Sequence, residues 1–331
     1  MPGDPRADEA IQLIDFWTPL LLRMCVTGGV MEAFGREPRS VAEVAAQTGL
    51  DADALRRVVR ALESRGVFAR SGDGAVWLTE VGRRFLSDEP GNVTGLANFK
   101  PWELHAWAEA DHSLRTGEPS FPTHFGAEYW AWLEAHPEFS ARFDEDMRQR
   151  TTTLIDRGLA LYDWPEEGTL VDIGGGNGVL LERVLRERPG LRGVVFDQPH
   201  VVAAAAAYLE AAGVADRAEA VGGSFFEQVP PGDLYLMASV LHDWADDDAV
   251  RILETIRRAM KPASKLVLFE SVLEPGDEPS HWKMVDLHML VLFGARERTL
   301  EEWETLLGRG GFTLDREIPT PGLSWLECRP S

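Results

Sequence analysis

The segment 170–178 constrains the fold of this chain more than any other stretch. It reads Leu-Val-Asp-Ile-Gly-Gly-Gly-Asn-Gly and is followed by apolar residues at the spacing of one helix face. This pattern predicts a buried strand, a tight glycine turn and the N-terminus of a helix. Glycine tolerates positive φ and has no Cβ, so a ligand can lie against the bare backbone of such a turn. The segment therefore predicts a nucleotide-like ligand.

The spacing of the glycines narrows the kind of nucleotide. Dinucleotide-binding turns carry glycine at the first, third and sixth positions, and here Gly174 and Gly176 are followed by Val179 at the sixth. The next predicted strand, 193–197, ends in Asp197, whose carboxylate can bind both hydroxyls of a ribose. The alternative role for Asp197 is to cap the helix that follows Pro199. The pattern favours an adenosine-bearing ligand without a diphosphate.

The C-terminal half alternates between strand and helix patterns. The predicted strands cover residues 170–174, 193–197, 218–221, 233–239 and 265–270, and the predicted helices cover residues 178–188, 200–212 and 246–260. Such alternation predicts an α/β fold with a mostly parallel, Rossmann-like sheet and helices on both faces. A further helix over 280–294 and a closing hairpin of 313–319 with 324–329 complete the predicted elements.

Two N-terminal segments predict a mainly helical region. Residues 11–31 are apolar on nearly every helix face, which predicts either a subunit interface or a helix buried in its own domain. Residues 40–85 have the pattern of a winged helix-turn-helix, with a capping box at Ser40 and Glu43 and a second helix from Asp53. Alone, this segment is typical of a DNA-binding regulator, but nearby acids match its arginines.

Composition excludes several functional classes. A net charge of −21 over 331 residues opposes nonspecific attraction to nucleic acid. The two cysteines form neither a disulfide framework nor a metal-ligand spacing, and the N-terminal residues lack the pattern of a secretory signal. No apolar run is long enough to span a bilayer. We therefore predict a cytoplasmic protein that binds neither nucleic acid nor membranes.

Three motifs, taken in order, resemble a known family. They are Val-Asp-Ile-Gly-Gly-Gly-Asn-Gly from Val171, Phe-Asp-Gln-Pro-His from Phe196 and Val-Leu-His-Asp-Trp from Val240. The chain resembles, over nearly its whole length, the S-adenosylmethionine-dependent O-methyltransferases that act on small hydroxylated aromatics in plant phenolic metabolism and bacterial antibiotic biosynthesis. The resemblance implies S-adenosylmethionine as cofactor, S-adenosylhomocysteine as product and a homodimer.

The resemblance also implies a division of the chain. Residues 1–95 would form a winged-helix dimerisation domain, residues 96–163 a helical connector that lines the acceptor pocket, and residues 164–331 the cofactor-binding catalytic domain.

Ligands of open parallel sheets bind beyond the carboxyl ends of the strands, so the residues there are the candidate cofactor ligands. Ser224 stands where relatives usually have an aspartate for the adenine amino group, which predicts a weaker or backbone-mediated contact. Ser239 follows the fourth strand, near the expected methionine moiety. The full candidate set is Asp172, Gly174, Gly176, Asp197, Ser224, Phe225, Phe226 and Ser239.

His242 is the candidate general base, because it directly follows a predicted strand and matches the family pattern. A phenol of pKa ~10 needs a base, and an imidazole of unperturbed pKa about 6.5 is mostly neutral at pH 7 and able to accept a proton. The resemblance implies that Glu270 or Glu297 accepts a hydrogen bond from the other imidazole nitrogen. The alternative for Glu270 is a surface acid at a strand end, and the alternative for Glu297 is an acid at the start of a helix. Asp243 either tunes the base or caps a helix.

The acceptor pocket is predicted from aromatic and thioether side chains. Phe139, Phe143 and Met147 recur every four residues and match a pocket-lining helix of the family. The second predicted wall consists of Met289, Leu290 and Phe293. Ordinary core packing is the alternative for each of these residues.

Three functions remain open at this stage. The leading one is methyl transfer to a hydroxyl of a small aromatic or polyketide-like acceptor, without a metal, since residues 246–248 are acids that open a helix. The second is a metabolite-sensing DNA-binding regulator. The third is an enzyme of the same fold that uses the cofactor for hydroxylation or decarboxylation, against which the presence of His242 argues.

Overall fold

The computed structural model describes residues 5–140, 142–143 and 158–331 of the chain. It divides into two compact units, Met1–Pro101 and Trp102–Ser331. The predicted boundaries at 95/96 and 163/164 stay predictions. In the described ranges, no helix combines the length and apolar character needed to cross a bilayer.

The first unit is mainly helical. Its elements are α1 Pro5–Leu13, α2 Trp17–Thr27, α3 Val30–Phe34, α4 Val41–Thr48, α5 Ala52–Glu63, β1 Phe68–Arg70, β2 Val76–Leu78, α6 Glu80–Arg83 and α7 Thr94–Ala97. The expectation of one helix over 11–31 is wrong, because the carboxylate of Asp15 accepts the backbone N–H groups of Trp17 and Thr18 and so starts a new helix.

The predicted capping box is present at the start of α4. The Ser40 hydroxyl accepts the Glu43 N–H, and the Glu43 carboxylate accepts the Ser40 N–H at 2.9 Å. Gly49 then ends α4 at φ 70°, a conformation that favours glycine. Helix α5 begins after Asp51, which caps it in place of Asp53, and β1 pairs antiparallel with β2. The interpretation of this segment as a winged helix stays a prediction.

The second unit is built on one seven-stranded sheet. Its strands are β3 Gly168–Ile173, β4 Leu191–Asp197, β5 Ala218–Gly222, β6 Leu234–Ala238, β7 Lys265–Glu270, β8 Phe312–Pro319 and β9 Ser324–Pro330. The order is β5-β4-β3-β6-β7-β9-β8, with β3 to β7 parallel and β9 antiparallel to both β7 and β8. The predicted mostly parallel α/β fold is confirmed.

Helices cover both faces of this sheet. They are α12 Val179–Glu187, α13 Pro199–Ala211, α14 Asp246–Ala259 and α16 Leu300–Arg309. Strands buried on both faces present continuous apolar runs, and Leu170, Val171 and Ile173 of β3 are all fully buried. Two apolar clusters therefore form, one on each side of the sheet.

A third cluster in this unit is rich in aromatic rings. It joins residues of the short helices α8 Pro101–Ala108, α10 Phe121–Phe125 and α11 Tyr129–Ala135 to α15 His281–Phe293. Helix α9 Asp111–Thr116 lies between α8 and α10 in the sequence. Helix α15 agrees with the predicted helix over 280–294 and ends at Gly294, whose φ is 66°. The cluster therefore joins the segment before the sheet to the helix inserted after β7.

Candidate active site

The glycine turn after β3 has the backbone that its sequence requires. Gly174, Gly176 and Gly178 have φ values of 70°, 58° and 82°, a region that side-chain-bearing residues rarely adopt. A Cβ on Gly174 would lie 2.7 Å from a methyl carbon of Val240, whereas a Cβ on Gly176 would project into open space. Gly174 is thus needed for packing, and Gly176 leaves the backbone at the strand ends open to a ligand.

Two aspartates flank this turn. Asp197 accepts the Gly176 N–H at 2.9 Å through one oxygen and the Gln198 N–H at 2.7 Å through the other. The helix after Pro199 has Gln198 at its N-cap, so Asp197 ties β4 to the glycine turn instead of capping that helix. Asp172 is buried, and its Oδ2 has no hydrogen-bond partner in the described part of the chain. Burial, helped by the Asp197 charge, raises the pKa of Asp172 to about 7.

These features fit an adenosine-bearing cofactor with a positive charge. The Asp197 carboxylate has lone pairs left for ribose hydroxyls, and the unpartnered oxygen of Asp172 lies beneath the turn. A cationic ligand would favour the ionised form of Asp172, which burial alone disfavours.

The other predicted cofactor residues lie on neighbouring strand ends. Ser224 accepts the Phe226 N–H at 3.3 Å, and the rings of Phe225 and Phe226 pack on Trp244. Ser239, directly after β6, has a φ of 54° and donates its N–H to the carbonyl of Phe269 at 2.9 Å. A serine in the left-handed region is rare, and such strain is concentrated at functional sites. The sequence carries no sign of it.

His242 lies in a single 3-10 turn, Leu241–Asp243, directly beyond β6. Its Nδ1 is 3.3 Å from Oε2 of Glu270 and 3.2 Å from Oε1 of Glu297, and its Nε2 is 3.3 Å from Oδ1 of Asp243. Nδ1 and the two glutamate oxygens are at ion-pair distance without meeting hydrogen-bond geometry. The fold therefore brings together all four predicted catalytic residues.

Both glutamates are fixed by their second oxygens. Oε1 of Glu270 accepts the N–H groups of Val240 and Leu241 at 3.0 and 2.9 Å, and Oε2 of Glu297 accepts the Ser271 hydroxyl. Burial raises the pKa of Glu270 to about 7, although the His242 charge opposes it. Burial also acts against ionisation of Glu297, but the His242 charge and the Ser271 hydroxyl prevail and lower its pKa. Glu297 is thus the better counter-ion for an imidazolium.

The expectation that His242 is mostly neutral at pH 7 stays a prediction, and the carboxylates around the imidazole act against it. Burial alone would lower its pKa, but the surrounding carboxylates of Glu297, Glu270 and Asp243 outweigh burial and hold the pKa well above its ordinary value. The imidazole is therefore a stronger base than an isolated histidine.

The predicted pocket residues lie near one another in the aromatic cluster. Phe143 contacts Tyr129 and Trp130 at ring-centroid distances of 5.9 and 5.5 Å, and Phe293 contacts the same two rings at 4.6 and 5.4 Å. Phe139 packs on Trp102 and Trp132 in the same cluster. Their assignment to the pocket stays a prediction.

Helix α15 supplies the other predicted pocket residues. Met289 is buried and Leu290 is partly buried, and Met147 lies outside the described residues. The sequence assigns Tyr129 and Trp130 no individual role, because their helical spacing resembles that of any core helix.

The acids at 246–248 form the first turn of α14, as predicted, and Asp246 binds Arg298 at 2.7 Å. Across residues 5–140, 142–143 and 158–331, no group of three or more histidine, cysteine or acidic side chains is placed to hold a metal ion. The expectation of metal-free chemistry stays a prediction.

Comparison with known proteins agrees with this geometry. Residues 107–313 match the O-methyltransferase domain, and residues 11–88 match the O-methyltransferase dimerisation domain. The chain is 40% identical over 330 residues to the phenazine O-methyltransferase PhzM of Lysobacter antibioticus, covering 98% of this chain and 97% of that protein.

Solved structures of related enzymes share the fold. The mitomycin 7-O-methyltransferase MmcR has a TM-score of 0.89 at 36% identity, with 98% of each chain covered. An O-methyltransferase from neocarzinostatin biosynthesis, solved with S-adenosylmethionine and 2-hydroxy-5-methyl naphthoic acid, has a TM-score of 0.86 at 32% identity, with 97% of this chain and 98% of that chain covered.

Proposed function

Because this chain belongs to the S-adenosylmethionine-dependent O-methyltransferase family, we propose that it methylates a hydroxyl of a small aromatic or polyketide-like natural product with His242 as general base. One observation carries the proposal: an imidazole beside the cofactor-binding strand ends has its Nδ1 between two buried glutamates. The carboxylates orient the ring and leave Nε2, beside Asp243, as the nitrogen that receives the proton.

The cofactor residues divide the binding of S-adenosylmethionine among them. The bound cofactor supplies an electrophilic methyl group on a sulfonium. Asp197 binds the ribose hydroxyls, the backbone at Gly174 and Gly176 lies against the nucleoside, and Asp172 complements the positive charge. Phe225 and Phe226 cover the adenine ring, while Ser224 and Ser239 supply short polar contacts.

The acidic surroundings of His242 set both its strength and its pH range. A raised pKa brings the imidazole closer to the pKa of a phenol, about 10, which reduces the free-energy cost of proton transfer. It also means that the protonated form must lose its proton before catalysis. A cation bound nearby lowers the pKa of a histidine, so cofactor binding favours the active, neutral form.

The acceptor pocket supports a flat aromatic substrate. Phe143 and Phe293 present ring faces and edges around Tyr129 and Trp130. Phe139, Met289 and Leu290 complete the proposed lining. Two features argue against nucleic-acid binding. The net charge is −21, which repels a polyanion, and the arginines Arg56 and Arg65 are paired with Asp53 and Asp15.

The test is methyl transfer from labelled S-adenosylmethionine to a panel of phenols, hydroxyaryl acids and hydroxyquinones, with mass detection. We expect a labelled methyl group on an acceptor oxygen. A hydroxylated or decarboxylated product, or methylation only at nitrogen or carbon, would contradict the proposal.

Replacing Glu297 with glutamine should move the acid limb of kcat/KM to lower pH. The variant loses the carboxylate 3.2 Å from Nδ1, so the pKa of His242 falls and the neutral imidazole persists to lower pH. We expect a shift of about one pH unit, together with a plateau lowered at least about tenfold because the imidazolium formed in the reaction loses its counter-ion. The exposed Glu301→Gln is the matched control. An acid limb that stays in place, or moves to higher pH, would contradict this role for Glu297.

We also propose that the chain forms a homodimer through α1 and α2. Leu13, Ile14 and Trp17 are 84%, 71% and 62% exposed in the single chain, within or next to the segment that matches the dimerisation domain. A cluster of large apolar side chains exposed in this way is typical of a subunit interface.

Charges placed on this surface should separate the subunits. The double variant Ile14→Glu, Trp17→Glu would bury unpaired charges in the interface, and we expect the dimer dissociation constant to rise at least about 100-fold. Sedimentation equilibrium measures it. Leu114→Glu, at a position that is 86% exposed in the second unit, is the control and should remain dimeric. A double variant that is as dimeric as this control would place the interface elsewhere.

A further inference from the structure

The indole of Trp130 has a buried N–H group that no hydrogen bond satisfies. Its Nε1 is inaccessible to solvent and has no partner within the described ranges. The ring stacks on Phe293 at 5.4 Å with an interplanar angle of 27°, and it stands nearly perpendicular to Phe143 at 5.5 Å. Trp130 therefore combines a fixed position with an unused donor.

Five other indoles in the described part of this unit donate their N–H groups to protein atoms. Their acceptors are the Tyr129 hydroxyl for Trp102, His288 Nδ1 for Trp107, and the carbonyls of Leu159, Ser271 and Gly158 for Trp164, Trp303 and Trp325. A buried donor without a partner costs free energy, and such exceptions call for a specific explanation. A bound ligand that accepts this hydrogen bond is one such explanation.

Trp130 lies beside the residues that surround the catalytic imidazole. Its stacking partner Phe293 ends helix α15, which packs against the 3-10 turn containing His242, and Glu297 follows four residues later. The charge of Asp243 also acts on the hydroxyl of the adjacent Tyr129. Trp130 thus belongs to the aromatic cluster that is proposed to line the acceptor pocket.

The charges around this pocket favour an uncharged acceptor oxygen over a carboxylate. The charged groups that act on Tyr129 are the carboxylates of Glu103, which is buried, and Asp243. His288 is 4.0 Å from Glu103, and Glu270 and Glu297 add further carboxylates around His242. A second anion on the substrate would meet these like charges.

We propose that Nε1 of Trp130 donates a hydrogen bond to an uncharged carbonyl oxygen on the aromatic acceptor, so that the enzyme selects hydroxylated aryl ketones or quinones over plain phenols. This inference rests on the proposed function, since it assigns a substrate class to the same pocket. Trp130 is a specificity-determining residue in this scheme, and the proton transfer still belongs to His242.

Calorimetry with matched ligands tests the contact directly. The ligands are 2-naphthols with an acetyl group at position 6 or 7, their ethyl counterparts, and 6-hydroxy-2-naphthoate, all titrated into enzyme saturated with S-adenosylhomocysteine. We expect the wild-type protein to bind the better of the two acetyl isomers about tenfold more tightly than its ethyl counterpart. In Trp130→Phe, the two ligands should bind with equal affinity. Trp132→Phe, in the same helix, should leave the acetyl-to-ethyl ratio unchanged.

The outcomes separate this inference from the proposed function. Equal wild-type affinity for the acetyl and ethyl ligands overturns the inference, even if Trp130→Phe fails to fold. If Trp130→Phe weakens the binding of the naphthoate but not of the acetyl ligands, the hydrogen-bond acceptor is a carboxylate, and the assignment to an uncharged carbonyl oxygen is overturned. Because binding is measured without turnover, a retained acetyl preference without methyl transfer would contradict the proposed function and leave the contact intact.

Discussion

Replacing His242 with glutamine is expected to lower kcat at least about 100-fold, within the range that a positioned general base contributes. Glutamine keeps a polar side chain of similar reach but cannot accept and hold the phenol proton at neutral pH. The affinity for S-adenosylhomocysteine should change less than about twofold, because His242 is not among the proposed cofactor ligands. Steady-state assays of methyl transfer give kcat, and calorimetry gives the affinity.

Controls distinguish a lost base from a disturbed fold. His124→Gln changes an exposed histidine of the same unit and should retain full activity. The activity remaining in His242→Gln should also lose the acid limb that the wild-type enzyme owes to this imidazole. If His242→Gln kept wild-type turnover, catalysis here would consist of positioning alone.

The sheet and its glycine turn were predictable because their physical causes are local. Strands buried on both faces appear as apolar runs, and the order Gly174, Gly176, Val179 already separated this turn from a dinucleotide site. Element bounds differed by one or two residues at most ends, where fraying and capping decide the terminus. The helix break at Asp15 was missed because its side chain competes with helix hydrogen bonds in a stretch that is otherwise apolar.

The electrostatics of the site were not predictable in the same way. Glu270 and Glu297 are 28 and 55 residues from His242 in sequence, and only the folded sheet brings both oxygens within 3.3 Å of the same nitrogen. The direction of the His242 pKa shift depends on the balance between burial and three carboxylates. The positive φ of Ser239 and the unpaired N–H of Trp130 likewise arise from tertiary packing, and no local pattern marks them.

Replacing Asp197 with alanine is expected to weaken S-adenosylhomocysteine binding at least about 100-fold, because hydrogen bonds to a charged carboxylate are worth about 1.5–3 kcal/mol each. The carboxylate also accepts the Gly176 N–H at 2.9 Å, so its removal loosens the turn that lies against the nucleoside. Calorimetry measures the loss, and Asp216→Ala, an exposed aspartate of the same unit, is the control.

An S-adenosylhomocysteine analogue without ribose hydroxyls separates the two roles of Asp197. If the carboxylate binds the ribose, Asp197→Ala weakens this analogue far less than it weakens S-adenosylhomocysteine, and the difference between the two losses is the coupling between carboxylate and hydroxyls. If Asp197 only orders the Gly176 turn, both ligands lose affinity by the same factor. If Asp197→Ala bound S-adenosylhomocysteine as tightly as the wild type, Asp197 would not be a cofactor ligand, and the carboxylate at the end of β4 would not bind the nucleoside.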